Sequence, residues 1–176
     1  MNKRDQKLTN ILSAVTLGVV YLLPIIAIVT WVFWDSFAHY AAENLPIAYD
    51  LSGLTIGQRF IGFTLGLVGA LIQAYGLLGL RTTFLEAREG RSLSNKSIQG
   101  FGRFAKVTLV MVFFGIIQRA GYIALFSVSD PDHLGRLDIQ FGSTELKALF
   151  VGLLLVFVAY VFAEGKQAKD ENEAFL

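Results

Sequence analysis

The sequence predicts an all-α, polytopic membrane protein with four transmembrane helices. Only 16% of its 176 residues are charged, against about 25% in soluble domains. Hydrophobic residues make up 54% of the chain, including 15 Phe, and the mean hydropathy is +0.55. A chain of this composition folded in water would expose large apolar patches, and disordered chains are poor in such residues. The chain contains no cysteine, which excludes a disulfide scaffold and thiolate metal sites.

Four apolar runs are long enough to cross a bilayer, since a helix needs about 20 residues at ~1.5 Å each for roughly 30 Å of hydrocarbon. They lie at about residues 11–34, 60–80, 107–128 and 146–163, and we expect them to form one domain over residues 1–176. The runs are continuously apolar rather than alternating, which argues against transmembrane strands. The first run has 24 residues and no A-x-A cleavage site after it. We therefore interpret it as a retained helix and not as a signal peptide.

The distribution of Lys and Arg predicts the orientation of these helices. Eleven of the 15 basic residues fall in the N-terminal segment, the hairpin at 81–106 and the tail at 164–176. By the positive-inside rule, both termini and the hairpin are expected in the cytoplasm, with the lipid bilayer around the spans. The first outer loop contains an apolar stretch at 37–45, which we expect to form a short helix on the bilayer surface, ended by Pro46.

The cytoplasmic hairpin carries clear turn and capping signals. The second helix is predicted to run past the membrane to Arg88 and to stop at Gly90. Ser94 or Asn95 then caps a new helix that leads into the third span.

The hairpin and the tail together form a candidate surface for a cytoplasmic protein partner. Its residues are basic in the hairpin and acidic or apolar in the tail: Arg88, Arg91, Lys96, Arg103, Asp170, Glu171, Glu173, Phe175 and Leu176. The bases of one segment and the acids of the other would pair only weakly if exposed, so docking depends on burying Phe175 and Leu176. The alternative interpretation of the basic residues is that they set the topology and contact lipid headgroups.

These two segments also carry a resemblance to a known family. Residues 84–98 read Phe-Leu-Glu-Ala-Arg-Glu-Gly-Arg-Ser-Leu-Ser-Asn-Lys-Ser-Ile. In residues 162–176, Phe162, Gly165 and the sequence Glu-Asn-Glu at 171–173 precede an apolar end. Both segments resemble the hairpin and C-terminus of the domain of unknown function 2975 family, small four-helix bacterial membrane proteins. Ala168 stands where that family usually has Leu, and Ala174-Phe175-Leu176 replaces its usual Leu-Thr-Ile.

The resemblance implies a bacterial inner (plasma) membrane protein without catalytic residues or a cofactor. Some members of the family are encoded beside a small helix-turn-helix regulator. The resemblance therefore implies a membrane-bound partner for a cytoplasmic regulator, with no direct nucleic acid binding by the chain itself.

The second span carries small residues at helical spacing. They are Gly62, Gly66, Gly69 and Gly76, with Gln73 in the gap on the same face. Small residues let helices approach closely, and an amide can hydrogen-bond across such a contact. We interpret this face as packing within the four-helix bundle, with a homo-oligomer seam as the alternative.

The third span contains a charged residue well inside its limits, Arg119, beside Gln118. A guanidinium in hydrocarbon is costly, so it either reaches the outer interface or faces the bundle and pairs with an acid. Asp35, Asp130 and Glu145 are the acids considered as partners. With Gln73, these two residues form a candidate intramembrane polar site.

The function predicted from the sequence is non-enzymatic: a membrane-anchored interaction or regulatory protein with a cytoplasmic partner. No H-E-x-x-H, G-x-S-x-G or phosphate-binding P-loop is present. We interpret residues 130–133, Asp-Pro-Asp-His, as a turn rather than a metal site, and no metal or cofactor is expected. The alternative function is a small-solute or ion permease or channel that uses Gln73, Gln118 and Arg119 inside the bundle.

Overall fold

A computed structural model describes residues 3–43, 51, 53–128 and 142–174. Within these ranges the chain forms five α-helices and no strands: α1 (Lys3–Val32), α2 (Trp34–Glu43), α3 (Ile56–Arg88), α4 (Asn95–Ser127) and α5 (Ser143–Ala174). All except α2 are long and apolar enough to cross a membrane. In lipid a backbone must satisfy its own hydrogen bonds, and a helix does so locally. The prediction of an all-α chain with four helices long and apolar enough to span a membrane is therefore confirmed within the described residues.

The first predicted span ends earlier than expected. The sequence places its end at Trp34, whereas α1 ends at Val32 and Trp34 begins α2 after a turn at Phe33. The indole of Trp34 is buried and donates a hydrogen bond of 3.2 Å to the carbonyl of Leu51. This long-range contact holds the first residue of α2 against the segment before α3. Residues 37–43 of the segment expected to form a surface helix at 37–45 are the second part of α2, and the end expected at Pro46 lies outside the described residues.

The hairpin follows its capping signals. Gly90 has φ 76°, a left-handed conformation that glycine adopts without a steric cost, and it ends α3 as predicted. Ser94 is the N-cap of α4, because its hydroxyl accepts a hydrogen bond of 3.1 Å from the Ser97 amide. At the other end of α3, Thr55 and Gln58 form a capping box that the sequence analysis did not identify. The connection between α3 and α4 is therefore reduced to residues 89–94.

The long helices extend well beyond the thickness of a bilayer. Helices α3 and α4 have 33 residues each, which is about 50 Å at ~1.5 Å per residue, against roughly 30 Å of hydrocarbon. Helix α5 continues to Ala174, so the segment expected as a separate tail at 164–176 is mostly the end of a helix. Side-chain pairs one turn apart, Lys166 with Asp170 and Gln167 with Glu171, support this extension.

The four long helices pack in the order α1, α3, α4, α5, each against the next. Within the described residues, α5 makes at most marginal contact with α1 or α3, so the bundle is an open row. Arg88 at the end of α3 hydrogen-bonds Asn10 in α1. Lys166 and Asp170 of α5 line one cavity with the loop 90–94. Along the helix axes, the start of α1 and the end of α5 therefore lie at the same end of the bundle as the hairpin. We call this end the hairpin end.

A buried apolar cluster lies at the opposite end of the helices. It joins α2, the segment before α3 and the end of α4 through Trp34, Ala38, Leu51, Leu54, Ile123, Leu125 and Phe126, and Trp31 of α1 packs against it. Helix α5, by contrast, leaves large apolar side chains such as Phe150, Phe157 and Val161 exposed. A membrane would cover these side chains with acyl chains, which are as apolar as the side chains themselves.

Candidate functional site

The hairpin loop is fixed by one buried carboxylate. Glu86 accepts two hydrogen bonds from the Arg91 guanidinium, 3.0 Å from Nε and 3.2 Å from Nη2, and one of 2.9 Å from the Ser94 hydroxyl. Glu86 thereby ties the last turn of α3 to the loop and to the N-cap of α4. The carboxylates of Glu86 and then of Glu89 raise the pKa of Arg91 above its already high value. The loop therefore has one defined conformation, supported by bidentate and charge-assisted hydrogen bonds.

A close crossing of α3 and α4 lies next to the hairpin loop and supports it. Gly79 of α3 and Gly100 of α4 face each other so closely that a Cβ built on either glycine would lie 2.5 Å from the carbonyl oxygen of the other. Beside this crossing, the Thr83 hydroxyl donates a hydrogen bond of 2.9 Å to the carbonyl of the buried Ser97. Small residues and hydroxyls that hydrogen-bond across helices are typical of contacts in membranes. The end of α3 and the start of α4 thus form a tightly joined pair.

The hairpin loop and α5 border an open groove of about 440 Å³. Its loop side consists of residues 90–94, and its α5 side consists of Lys166, Lys169 and Asp170. Leu93, on the loop side, is exposed. We call this surface the hairpin groove. It brings together Arg91 and Asp170, two residues of the surface that the sequence analysis proposed for a cytoplasmic partner.

Within the described residues, Arg91 and Asp170 pair inside their own segments, whereas the sequence analysis considered pairing between the two segments. Arg91 pairs with Glu86 and Glu89 in its own loop. Asp170 pairs with Lys166, 2.5 Å away on α5. Opposite charges four positions apart on a helix, such as Lys166 and Asp170, are neighbours on its surface and stabilise it modestly.

The remaining residues of the predicted partner surface are spread over the hairpin end. Arg88 bonds to α1, and Glu171 bonds to Gln167 within α5. Lys96 is exposed on the first turn of α4. Arg103 faces a different groove, with its guanidinium carbon 4.8 Å from the centre of the Tyr75 ring. The side chain of Glu173, and Phe175 and Leu176 altogether, lie outside the described residues.

Gln118, predicted as part of a polar site, joins α4 to α3. Its amide donates hydrogen bonds to the carbonyl of Leu65 at 3.1 Å and to the Tyr122 hydroxyl at 3.3 Å. That hydroxyl donates in turn to the carbonyl of Gly62 at 3.5 Å. Polar side chains that satisfy a neighbouring helix backbone contribute to helix association in lipid.

Arg119 lies at the end of the helices opposite the hairpin end. Its guanidinium is 3.7 Å from the Glu145 carboxylate, one of the three acids considered from the sequence. Asp35, another of them, pairs with Arg59 at 2.6 Å. Asp130 lies outside the described residues, as does the rest of the segment 130–133.

Arg119 and Gln118 line a cavity of about 320 Å³ with aromatic walls that include Trp31, Trp34 and Tyr122. The indoles of Trp31 and Trp34 stack with ring centres 4.6 Å apart. Gln73 does not line this cavity. The three residues of the predicted intramembrane polar site therefore do not converge.

The four glycines of the predicted packing face contact neighbouring helices of the same chain. A Cβ at Gly62 would overlap the Trp31 ring, and one at Gly66 would lie 3.0 Å from the Tyr122 hydroxyl. A Cβ at Gly69 would lie 2.9 Å from Phe114, and one at Gly76 2.7 Å from Val107. This placement corresponds to the first of the two alternatives, packing within one chain.

Sequence reasoning missed several residues that shape the hairpin end. Glu86 is one of two acidic residues in the hydrophilic segment 81–106, and nothing in its local pattern indicates burial. Gly79 and Gly100 lie on different helices, so no spacing within either helix connects them. A capping signal was present at Ser94, but its second role as a donor to Glu86 depends on the loop conformation.

A scan against models of protein families and searches of curated proteins and solved structures found no match to this chain. The resemblance to the domain of unknown function 2975 family therefore stays a prediction.

Proposed function

We propose that this chain is a non-enzymatic membrane protein that presents the hairpin groove to a cytoplasmic partner protein. The observation that supports this proposal best is the convergence of residues 90–94 and the end of α5 on one surface, far along the chain from each other. The loop in that surface is held by Glu86 and by the Gly79–Gly100 crossing. A surface with fixed geometry loses less entropy on binding than a mobile one, which favours a docking role.

The groove has the chemistry of a contact for a folded protein or a charged peptide segment. Leu93, which is 39% exposed, supplies an apolar contact within the groove. Arg91, Lys166 and Asp170 surround it with both signs of charge. An apolar contact with a polar rim is the usual anatomy of a protein interface. The family resemblance suggests a helix-turn-helix regulator as the partner.

We place the hairpin end on the cytoplasmic side of a bacterial inner membrane, because most basic residues of the chain belong to that end. The absence of natural cysteine makes this placement simple to test. A cysteine introduced as Ser92→Cys should resist a membrane-impermeant thiol reagent in intact cells and react after lysis. The matched variant Gly53→Cys, at the opposite end, should react in intact cells. The reverse pattern would contradict the orientation.

The partner can be identified by site-specific crosslinking in native membranes. A photoreactive amino acid at Leu93 should yield an adduct with one cytoplasmic protein. The same amino acid at Ile56, which is 88% exposed at the opposite end, should not yield that adduct. Deletion of residues 170–176 should abolish the adduct while the circular dichroism of the helices persists. An adduct that survives this deletion, or that forms equally from Ile56, would contradict docking at the groove.

The alternative function, a permease or channel, would use Gln73, Gln118 and Arg119. Gln118 donates to the α3 backbone, and Arg119 faces Glu145 at the end opposite the hairpin. These contacts assign the two side chains to helix packing, and Gln73 does not share a cavity with them. We therefore favour the docking proposal over transport.

A further inference from the structure

A second groove lies at the hairpin end, over α4 and between α3 and α5. Its volume is about 670 Å³, within the roughly 300–1,000 Å³ of typical ligand sites. Tyr75 of α3 and Val156 and Tyr160 of α5 line it, and Gly102 of α4 contributes no side chain to fill it. Two basic residues of α4, Arg103 and Lys106, complete the lining. The groove is thus mostly apolar, with two positive charges.

Three helices place this groove at the boundary between hydrocarbon and water. Lys106 is the last charged residue before the apolar run that begins at residue 107. Tyr75 and Tyr160 lie near the hairpin-end limits of the runs 60–80 and 146–163. Tyrosine and basic side chains are both enriched at this level of a membrane. The apolar part of the groove therefore meets acyl chains, and its basic part meets headgroups.

The two basic residues lie close together on α4. Arg103 and Lys106 are three positions apart on a helix, so their side chains project from the same face. The Arg103 side chain passes close to Gly79, and its guanidinium lies over the Tyr75 ring at 4.8 Å. A guanidinium that is stacked in this way keeps its edge available for a phosphate and is already ordered.

We propose that this groove binds one phospholipid with an anionic headgroup. Arg103 and Lys106 contact the headgroup phosphate, and an acyl chain lies along Gly102 and Val156. This site differs from general headgroup contact by the other basic residues of the hairpin, because it adds a shaped apolar wall to the charges. It is independent of the docking proposal, since its lining residues are separate from those of the hairpin groove.

The Glu164 carboxylate lies beside the site and opposes an anion. The Tyr160 hydroxyl donates a hydrogen bond to the Glu164 carboxylate, one turn further along α5. The two positive charges of Arg103 and Lys106 exceed this single negative charge. The variant Glu164→Gln should therefore increase the affinity for an anionic lipid.

The charge contribution can be measured by native mass spectrometry of the purified full chain in detergent, with phosphatidylglycerol or phosphatidylcholine added. The wild type should retain one phosphatidylglycerol in preference to phosphatidylcholine. The double variant Arg103→Gln/Lys106→Gln should lose about thirtyfold in phosphatidylglycerol affinity, at about fivefold for each charge near a membrane surface. The matched double variant Arg88→Gln/Lys96→Gln removes the same charge outside the groove and should bind as the wild type does.

The shape contribution has its own matched pair of variants. A Cβ at Gly102 would meet no atom within 4 Å, and neither would one at Gly18 of α1. Gly102→Leu should fill the groove and remove the retained lipid without destabilising the fold, whereas Gly18→Leu should leave lipid binding unchanged. A thermal unfolding curve for each variant separates lost binding from lost stability.

Three outcomes would overturn the proposal. The first is equal phosphatidylglycerol retention by the wild type and by the Arg103→Gln/Lys106→Gln variant. The second is displacement of the lipid by soluble glycerophosphate at equal concentration, which would assign the site to a free anion. The third is a wild-type dimer that Gly102→Leu dissociates while lipid retention is unchanged, which would assign the groove to a second copy of the chain.

Discussion

The substitution Gly100→Ala tests the helix crossing that supports the hairpin groove. A Cβ at position 100 would lie 2.5 Å from the Gly79 carbonyl oxygen, 3.1 Å from the Thr83 hydroxyl and 3.3 Å from the Thr82 Cβ. The nearest of these atoms belongs to the backbone of α3, so it cannot rotate away. Ordinary contact begins at 3.4 Å, and the two helices must therefore separate locally by about 0.9 Å.

The magnitude follows from two opposing contributions. Alanine favours a helix over glycine by about 1 kcal/mol. A radial gap of 0.5–1 Å forfeits roughly a quarter to a half of each dispersion contact along the crossing, and overpacking of this kind costs about 1–3 kcal/mol. The separation also weakens the hydrogen bond between Thr83 and Ser97. We expect a net loss of about 1–2 kcal/mol in the free energy of unfolding.

The matched control is Gly102→Ala, two residues further along the same helix. A Cβ there meets no atom within 4 Å, so only the helix propensity changes, and stability should rise by up to about 1 kcal/mol. Equilibrium unfolding of both variants in mixed detergent micelles measures the two effects. A Gly100→Ala protein as stable as the Gly102→Ala protein would refute the close crossing.

Three further substitutions test other contacts. Glu86→Gln should speed amide hydrogen exchange in residues 89–94, because a neutral amide cannot replace the carboxylate that accepts from Arg91 and Ser94. The control is Glu89→Gln, which changes an exposed partner of Arg91 and should alter the exchange rate much less. Gln118→Leu should lower the free energy of unfolding by about 0.6 to 1.7 kcal/mol, as expected for an interhelical hydrogen bond in a membrane, and unchanged stability would contradict the bond to Leu65. Asp35→Asn should cost less than about 1 kcal/mol in the same assay, because the pair with Arg59 is largely exposed.

The sequence by itself determined the number and type of the helices that are apolar enough to span a membrane. Apolar length decides whether a segment enters lipid, and within lipid the backbone must hydrogen-bond to itself, so each span is specified by its own residues. The end of α3 was also predictable, because Gly90 and Ser94 act through hydrogen bonds within a few residues. The break before Trp34 was not, since it depends on a hydrogen bond to Leu51, which is distant in the chain.

Only the tertiary structure decided which faces of the helices meet. A spanning helix is apolar on the face that touches lipid and on the face that touches protein, so hydrophobic periodicity does not distinguish the two. The facing of Gly79 and Gly100 and the approach of α5 to the hairpin depend on residues on different helices. The burial of Glu86 depends on the conformation of the loop that carries Arg91 and Ser94. For the same reason the sequence analysis placed Gln73, Gln118 and Arg119 in one site. In the structure, Gln118 hydrogen-bonds to the α3 backbone and Arg119 faces Glu145.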